Sequence, residues 1–69
     1  MIINKIHWLG VGLSSPPGIL YLNDQRYDLL VWNRSVDKAK TLLKNKINVN
    51  ELDISKFSKK LDKNDLIVS

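Results

Sequence analysis

The chain has 69 residues, a net charge of +4, a pI of about 9.6, one histidine and no cysteine. This composition excludes disulfide bonds, thiolate metal sites and histidine metal clusters. No apolar run approaches the roughly 20 residues that a membrane span needs. The N-terminus also lacks the layout of a secretory signal, because Asn4 and Lys5 interrupt it. We therefore expect a cytoplasmic protein.

Most of the positive charge lies in the second half of the chain, where lysines alternate with acidic residues. Such a mixture is typical of solvated helix faces, and it differs from the basic stripes with interleaved aromatic residues that bind nucleic acid. We therefore expect neither a nucleic-acid partner nor a membrane partner.

The first half of the chain contains two apolar runs with a helical stretch between them. Ile2 to Leu9 predicts a strand, because it is short, rich in β-branched and aromatic residues, and ended by glycine. Apolar residues at helical spacing then predict a helix from about Pro17 to Gln25, with Ser15 or Pro16 just outside it. The continuous run Tyr27 to Trp32 predicts a second strand, covered on both faces as in a parallel sheet.

The second half repeats this alternation. Its predicted elements are a helix over Val36 to Lys46, a weaker strand over Ile47 to Leu52, a short helix through about Leu61 and a strand over Asp65 to Ser69. Ser35 and Ser55 are the predicted N-caps of the two helices. We expect Ile54, Phe57 and Leu61 on the buried side of the second of these helices.

The alternation β-α-β-α-β-α-β predicts an α/β fold with a doubly wound parallel sheet of about four strands and three helices. Residues 1–69 would form the N-terminal part of a Rossmann domain. A fourth strand at the edge of the sheet leaves backbone groups unpaired and favours pairing with another chain. We therefore expect a segment of a longer protein, with homo-oligomerisation through this edge as an alternative.

The stretch GVGLSSPPG, residues 10–18, follows the first predicted strand. Gly10 and Gly12 have the G-x-G spacing of a turn that leaves a strand tightly and admits a pyrophosphate against bare backbone. The third glycine position of that pattern falls at Ser15. Because Pro16 and Pro17 have no amide hydrogen, phosphate contacts are expected from the amides of Gly12, Leu13, Ser14 and Ser15. The alternative is a simple bend.

The end of the second predicted strand carries Asn33, Arg34 and Ser35. In dinucleotide folds, an acidic residue about 20 residues after the first glycine binds the ribose hydroxyls of NAD. Asn33 occupies this position and is neutral, and the guanidinium of Arg34 can hold a 2′-phosphate. The turn therefore favours NADP over NAD, with an ordinary turn followed by a helix cap as the alternative.

The segments IHWLGVGLSSPPG and VWNRSVDKAKTLL resemble the N-terminal part of saccharopine dehydrogenase-like oxidoreductases, particularly their bacterial NADP-dependent branch. The resemblance covers essentially the whole chain, but only the first portion of the family's nucleotide domain. It implies hydride transfer at a C–N centre of an amino-acid derivative. The substrate-binding and proton-transfer groups would lie in a second domain absent from this chain, so no catalytic residue is assigned here.

The resemblance also implies which residues contact the cofactor. The pyrophosphate loop would comprise Gly10, Gly12, Leu13, Ser14 and Ser15, and the adenosine-phosphate contacts would be Asn33, Arg34 and Ser35. Asp53 would neighbour the adenine, and Ser69 would lie on the nicotinamide side.

Three alternatives to this function remain open. The Asn-Arg-Ser turn is shared with 3-hydroxyacid and shikimate dehydrogenases, which act on C–O centres. A nucleotide-sensing module could bind NADP without redox chemistry, and the chain could instead be an interaction segment that pairs through its fourth strand.

The remaining polar and aromatic candidates favour structural roles. His7 lies within the first predicted strand, away from the carboxyl ends of the strands where ligands bind, so we expect a buried, hydrogen-bonded histidine. Trp8 and Trp32 are expected to pack in the core or at its rim. Asp62 and Asp65 are expected to flank a turn and the start of the fourth strand, where Lys63 and Asn64 form an ordinary loop.

Overall fold

The computed structural model describes residues 4–69 as a four-stranded parallel sheet with three helices. The elements in chain order are β1 (Ile6–Leu9), α1 (Pro16–Asp24), β2 (Leu29–Asn33), α2 (Val36–Leu42), β3 (Val49–Glu51), α3 (Ile54–Lys60) and β4 (Leu66–Val68). The predicted α/β class and the β-α-β-α-β-α-β order are confirmed. Ile2 and Ile3, where the first strand was predicted to begin, lie outside the described residues.

The strand order across the sheet is β3-β2-β1-β4, so β1 and β2 are the central pair. β1 pairs with β2 from Ile6 opposite Leu29 to Leu9 opposite Trp32. β4 lies on the other side of β1, and as an edge strand it leaves Leu66 and Ile67 43% and 46% exposed. None of the helices among residues 4–69 is long and apolar enough to cross a membrane.

β3 and β4 are shorter than predicted, by three and two residues. α1, β2 and α2 differ from their predicted bounds at backbone features that the apolar pattern does not carry. α1 begins at Pro16, one residue early, because prolines at the first two helical positions lack amides that would have had no helical partner. β2 begins at Leu29 and not at Tyr27, which follows a left-handed residue, Arg26. α2 ends at Leu42 and not at Lys46.

The early end of α2 and the start of α3 have local causes. Lys44 and Asn45 have φ values of 55° and 56°, which a continuing helix does not allow. α3 is capped by Asp53, whose carboxylate accepts hydrogen bonds from the amides of Ser55 and Lys56. The prediction that Ser55 caps this helix is therefore wrong, since Ser55 already lies inside it.

One face of the sheet is covered by α1 and α2 and forms the apolar core. Ile19 of α1, Val31 of β2 and Leu43 after α2 are fully buried together. Trp8 of β1 packs against this cluster, as expected for a core tryptophan. Gly18 of α1 lies so close to the Trp8 ring that an added Cβ would be 3.0 Å from Cη2. Helix and strand can approach this closely because Gly18 has no side chain.

The opposite face of the sheet is covered by α3 and is built around His7, which is fully buried. The Trp32 indole N–H donates to His7 Nδ1 at 3.1 Å, so the histidine proton is assigned to Nε2. Nε2 in turn lies 2.7 Å from Asp65 Oδ2. Phe57 of α3 packs edge-on against both the histidine and the indole ring. The expected structural role of His7 is confirmed.

Asp65 lies beside the turn before β4, as predicted, but its side chain is fully buried, which the expectation of ordinary loop chemistry there did not include. It accepts hydrogen bonds from the backbone amides of Lys5 and Asp62 in addition to the His7 ring. Lys5 also forms an ion pair with Asp62.

The predicted burial of Ile54 and Leu61 on α3 is wrong, since Ile54 is 83% exposed and Leu61 is exposed as well. The contact of α3 with the sheet depends on Phe57.

Acid should weaken this arrangement. Burial alone would raise the pKa of the Asp65 carboxyl, but the Asp62 amide, the His7 ring and the Lys5 ammonium together lower that pKa below its ordinary value. A carboxyl with a lowered pKa stabilises the fold above its ordinary pKa and loses that contribution as the pH falls through the lowered value. We expect the urea midpoint of unfolding to decrease between about pH 5 and about pH 2.

Asp65→Asn should lower the urea midpoint at neutral pH and make its decrease in acid shallower. Asp24→Asn is the matched control, since among residues 4–69 the exposed Asp24 side chain forms no hydrogen bond or ion pair. An acid dependence that is equally steep in Asp65→Asn and in the parent chain would contradict this prediction.

Candidate functional site

The loops that follow the four strands meet at one edge of the sheet, because all four strands are parallel. From β1 the sheet continues through β2 to β3 on one side, whereas β4 lies on the other side of β1. The chain therefore changes direction across the sheet at the β1–β4 boundary. Open α/β sheets bind ligands outside the carboxyl ends of the strands at such a point. The candidate site therefore comprises residues 10–15, residues 33–35, Asp53 and Ser69.

Gly10 makes the tight exit from β1. Its φ is +89°, a conformation that side chains other than glycine rarely adopt. Its amide donates to the Trp32 carbonyl at 2.8 Å, and its own carbonyl accepts from the Trp8 indole N–H at 3.1 Å. No atom of residues 4–69 outside its chain neighbours lies within 4 Å of a Cβ built at Gly10. Backbone conformation, and not space, therefore requires glycine here.

The loop after Gly10 is closed by two hydrogen bonds between Gly12 and Ser15. The Gly12 amide donates to Ser15 Oγ at 3.1 Å, and the Ser15 amide donates to the Gly12 carbonyl at 3.3 Å. Two of the four amides expected to contact phosphate are therefore engaged within the loop. The amides of Leu13 and Ser14 donate no hydrogen bond to any residue in the range 4–69. Leu13 is 90% exposed.

Close helix–strand packing, the role of the third glycine, falls to Gly18 and not to the Ser15 position. Ser15 precedes α1 as its N-cap, and its hydroxyl is turned back to the Gly12 amide. The Gly18 amide is the first in the helix that is not on a proline, and within the described chain it has no acceptor. Gly18 was visible in the sequence, but its distance from Gly10 does not fit the three-glycine pattern.

Asn33, at the end of β2, connects the loops around it. Its side-chain Oδ1 accepts from the Val11 amide at 3.0 Å, and its Nδ2 donates to the Ser35 carbonyl at 2.8 Å. Its backbone carbonyl accepts from the Leu52 amide at 3.0 Å, just before α3. The sequence predicted a nucleotide contact at Asn33 and gave no sign of these connections.

The other predicted site residues differ in how free their side chains are. Arg34 is exposed, and its guanidinium forms no ion pair or hydrogen bond with residues 4–69. Ser35 is the N-cap of α2, as predicted, but its hydroxyl makes no capping hydrogen bond. The Asp53 carboxylate is occupied in capping α3. Ser69 follows Val68, which pairs with Trp8, and therefore lies beside the end of β1.

Among residues 4–69, this edge of the sheet carries hydrogen-bond donors and a positive charge without partners. The amides of Leu13 and Ser14 and the Arg34 guanidinium are donors suited to phosphate, and Gly12 adds backbone without a side chain. The described residues contain no cluster of three or more acidic or histidine side chains that could hold a metal ion. His7 and Asp65 meet where β4 begins, away from the loops at the strand ends.

Comparison with protein-family models, with curated proteins and with solved structures gave no match for this chain.

The two glycines of the loop should respond differently to alanine. Gly10→Ala should lower the free energy of unfolding by about 1–2 kcal/mol, because alanine must adopt a left-handed conformation. Gly12→Ala should change it by about 0.5 kcal/mol or less, since a Cβ there meets only Ser15 Oγ, at 3.9 Å. Urea unfolding of both variants beside the parent chain measures the difference. Equal destabilisation would contradict the assignment of strain to Gly10.

Proposed function

We propose that this chain binds NADP(H) at the carboxyl edge of its sheet, as the leading part of a cytoplasmic oxidoreductase that resembles saccharopine dehydrogenases. The observation that carries the proposal is the position of the Arg34 guanidinium one strand away from the amides of the glycine turn, since none of these groups has a partner among residues 4–69. The two features lie on adjacent strands, as the two ends of an adenosine diphosphate ribose unit require.

The glycine turn supports binding of the pyrophosphate. Gly12 presents backbone without a side chain, and the amides of Leu13 and Ser14 are available as donors. The two hydrogen bonds between Gly12 and Ser15 hold the loop in shape, which lowers the entropy lost on binding. These residues fit a pyrophosphate even though two prolines remove the first amides of α1.

The turn after β2 supports binding of the 2′-phosphate. Arg34 offers a planar group that can form two parallel hydrogen bonds to a phosphate, and the Ser35 hydroxyl is free to add another. The neutral side chain of Asn33 places no negative charge beside this position. A carboxylate there would repel the 2′-phosphate and favour NAD.

The bound nicotinamide would supply hydride transfer, while the protein supplies binding and orientation. Following the resemblance, we propose a C–N centre of an amino-acid derivative as the substrate, and we assign no catalytic residue to this chain. The Asn-Arg-Ser turn equally favours a reductase of the 3-hydroxyacid or shikimate dehydrogenase type, because only the adenosine half of the cofactor contacts it.

Arg34→Ala should separate the two nicotinamide nucleotides, which differ only in the 2′-phosphate. We expect the parent chain to bind NADP⁺ more tightly than NAD⁺. The variant should lose about tenfold to a hundredfold in NADP⁺ affinity, the value of a charge-assisted hydrogen bond or two, and about threefold or less in NAD⁺ affinity. Tryptophan fluorescence can follow binding, because the Trp8 indole is hydrogen-bonded to the Gly10 carbonyl.

Lys63→Ala is the control for this titration. It removes one positive charge from an exposed residue just before β4, at the opposite edge of the sheet, and should leave both affinities unchanged. Equal affinity of the folded parent chain for the two nucleotides would overturn the assignment of NADP, and binding of neither would overturn the site.

Gly12→Ala tests the pyrophosphate half independently. A methyl group on the open backbone should lower the affinities for NADP⁺ and NAD⁺ by the same factor, about tenfold. Circular dichroism should show an unchanged fold. A decrease in affinity for NADP⁺ alone would show that the pyrophosphate does not bind at the glycine turn.

A further inference from the structure

Asn33 forms hydrogen bonds with all three loops that follow β1, β2 and β3. The side chain reaches Val11 in the first loop and Ser35 in the second, and the backbone carbonyl reaches Leu52 before α3. No other predicted site residue spans two loops through its side chain within the described chain. The carboxamide is half-buried, with both of its polar atoms engaged inside the protein.

The two side-chain bonds have opposite polarity, which only an amide supplies. Val11 offers an N–H and needs an acceptor, whereas the Ser35 carbonyl, which also accepts from the Ala39 amide, takes its second hydrogen bond from a donor. A carboxylate at residue 33 could still accept from Val11, but its second oxygen would face the Ser35 carbonyl oxygen at about the present 2.8 Å and be repelled. An alanine would leave the Val11 amide and the Ser35 carbonyl without this partner.

We propose that Asn33 is a positioning residue, which links the glycine turn to the Arg34 turn. Its side chain keeps its hydrogen bonds to Val11 and Ser35 when nucleotide is bound. Its carboxamide then sets the separation between the pyrophosphate loop and the guanidinium, and it is not itself the contact to the ribose phosphate. The inference rests on the proposed function, and it replaces the direct contact that the sequence predicts at this residue.

Loss of the tie should affect both halves of the site. Val11 directly precedes Gly12, so an untethered Val11 loosens the loop that receives the pyrophosphate. Ser35 directly follows Arg34, so loss of the bond from Asn33 leaves the Ser35 carbonyl with the Ala39 amide alone and loosens the turn that carries the guanidinium. A side chain that only touched the 2′-phosphate would matter for NADP⁺ and not for NAD⁺.

The test combines amide hydrogen exchange at Val11, followed by NMR, with NADP⁺ and NAD⁺ titrations of the full chain. In Asn33→Ala, Val11 should exchange about three- to tenfold faster than in the parent chain, as expected for loss of one hydrogen bond. Both nucleotide affinities should fall, each by about threefold or more. In the parent chain, Val11 should stay protected when NADP⁺ is bound.

Asn33→Asp is the rescue variant, because its carboxylate keeps the acceptor for Val11. Val11 protection and NAD⁺ affinity should return to about the parent values, while NADP⁺ affinity stays low. Asn48→Ala, at an exposed asparagine without a side-chain hydrogen bond in the range 4–69, is the matched control and should change neither quantity.

Each other outcome overturns the positioning role. Faster Val11 exchange in the parent chain on adding NADP⁺, or an Asn33→Ala variant that weakens NADP⁺ alone, would show that the carboxamide turns outward to the nucleotide. A variant with lower stability but unchanged affinities would show a merely structural residue. If the folded parent chain binds neither nucleotide, the proposed function fails, and the inference about Asn33 fails with it.

Discussion

The hydrogen bond from the Gly10 amide to the Trp32 carbonyl, 2.8 Å long, is the point from which the candidate site is organised. It continues the pairing of the two central strands by one residue beyond β1. Immediately after it the backbone turns at φ +89°, while β2 continues to Asn33. The glycine turn and the Asn-Arg-Ser turn therefore both begin beside this hydrogen bond. Strand pairing, and not loop flexibility, sets the distance between them.

The two faces of this small sheet are stabilised by different interactions. The face under α1 and α2 is apolar and closely packed, down to the contact between Gly18 and Trp8. The face under α3 instead buries His7, whose ring lies between the Trp32 indole and the buried Asp65 carboxylate. Burying such groups is unfavourable unless each polar atom has a partner, and among residues 4–69 every buried side-chain nitrogen and oxygen has one. A hydrogen-bonded network thus contributes to this face what apolar contacts contribute to the other.

The order and type of all seven elements could be predicted from the sequence, because apolar runs and helical spacing are local signals. The bounds of β2 and α2 could not be predicted. The residues with positive φ beside these two elements are Arg26, Lys44 and Asn45, and none of them is a glycine that would have marked the break. The burial of Asp65 was also missed. It depends on His7, far away in the sequence, and a lone acidic residue before a strand carries no sign of such a partner.

The candidate site shows the same division between local and distant causes. The sequence placed Gly10, Gly12 and Arg34 at the strand ends, where the structure has them, because each position is fixed by the strand just before it. It could not show which amides stay free, since the amides of Gly12 and Val11 donate to the side chains of Ser15 and Asn33, whose direction depends on the fold.

The two prolines at the start of α1 change how a glycine turn can hold an anion. They remove two helix amides, and the Gly12–Ser15 bonds occupy two more, so the remaining donors among residues 4–69 are the loop amides of Leu13 and Ser14 and one helix amide, that of Gly18. Loop amides bind anions well only when the loop keeps its shape, because ordering a flexible loop would cancel much of the gain. The prolines fix the loop at one end, the Gly12–Ser15 bonds close its middle, and the Asn33 carboxamide holds Val11 at the other end. A turn with fewer helix donors can therefore still bind phosphate, provided that its rigidity replaces the helix terminus.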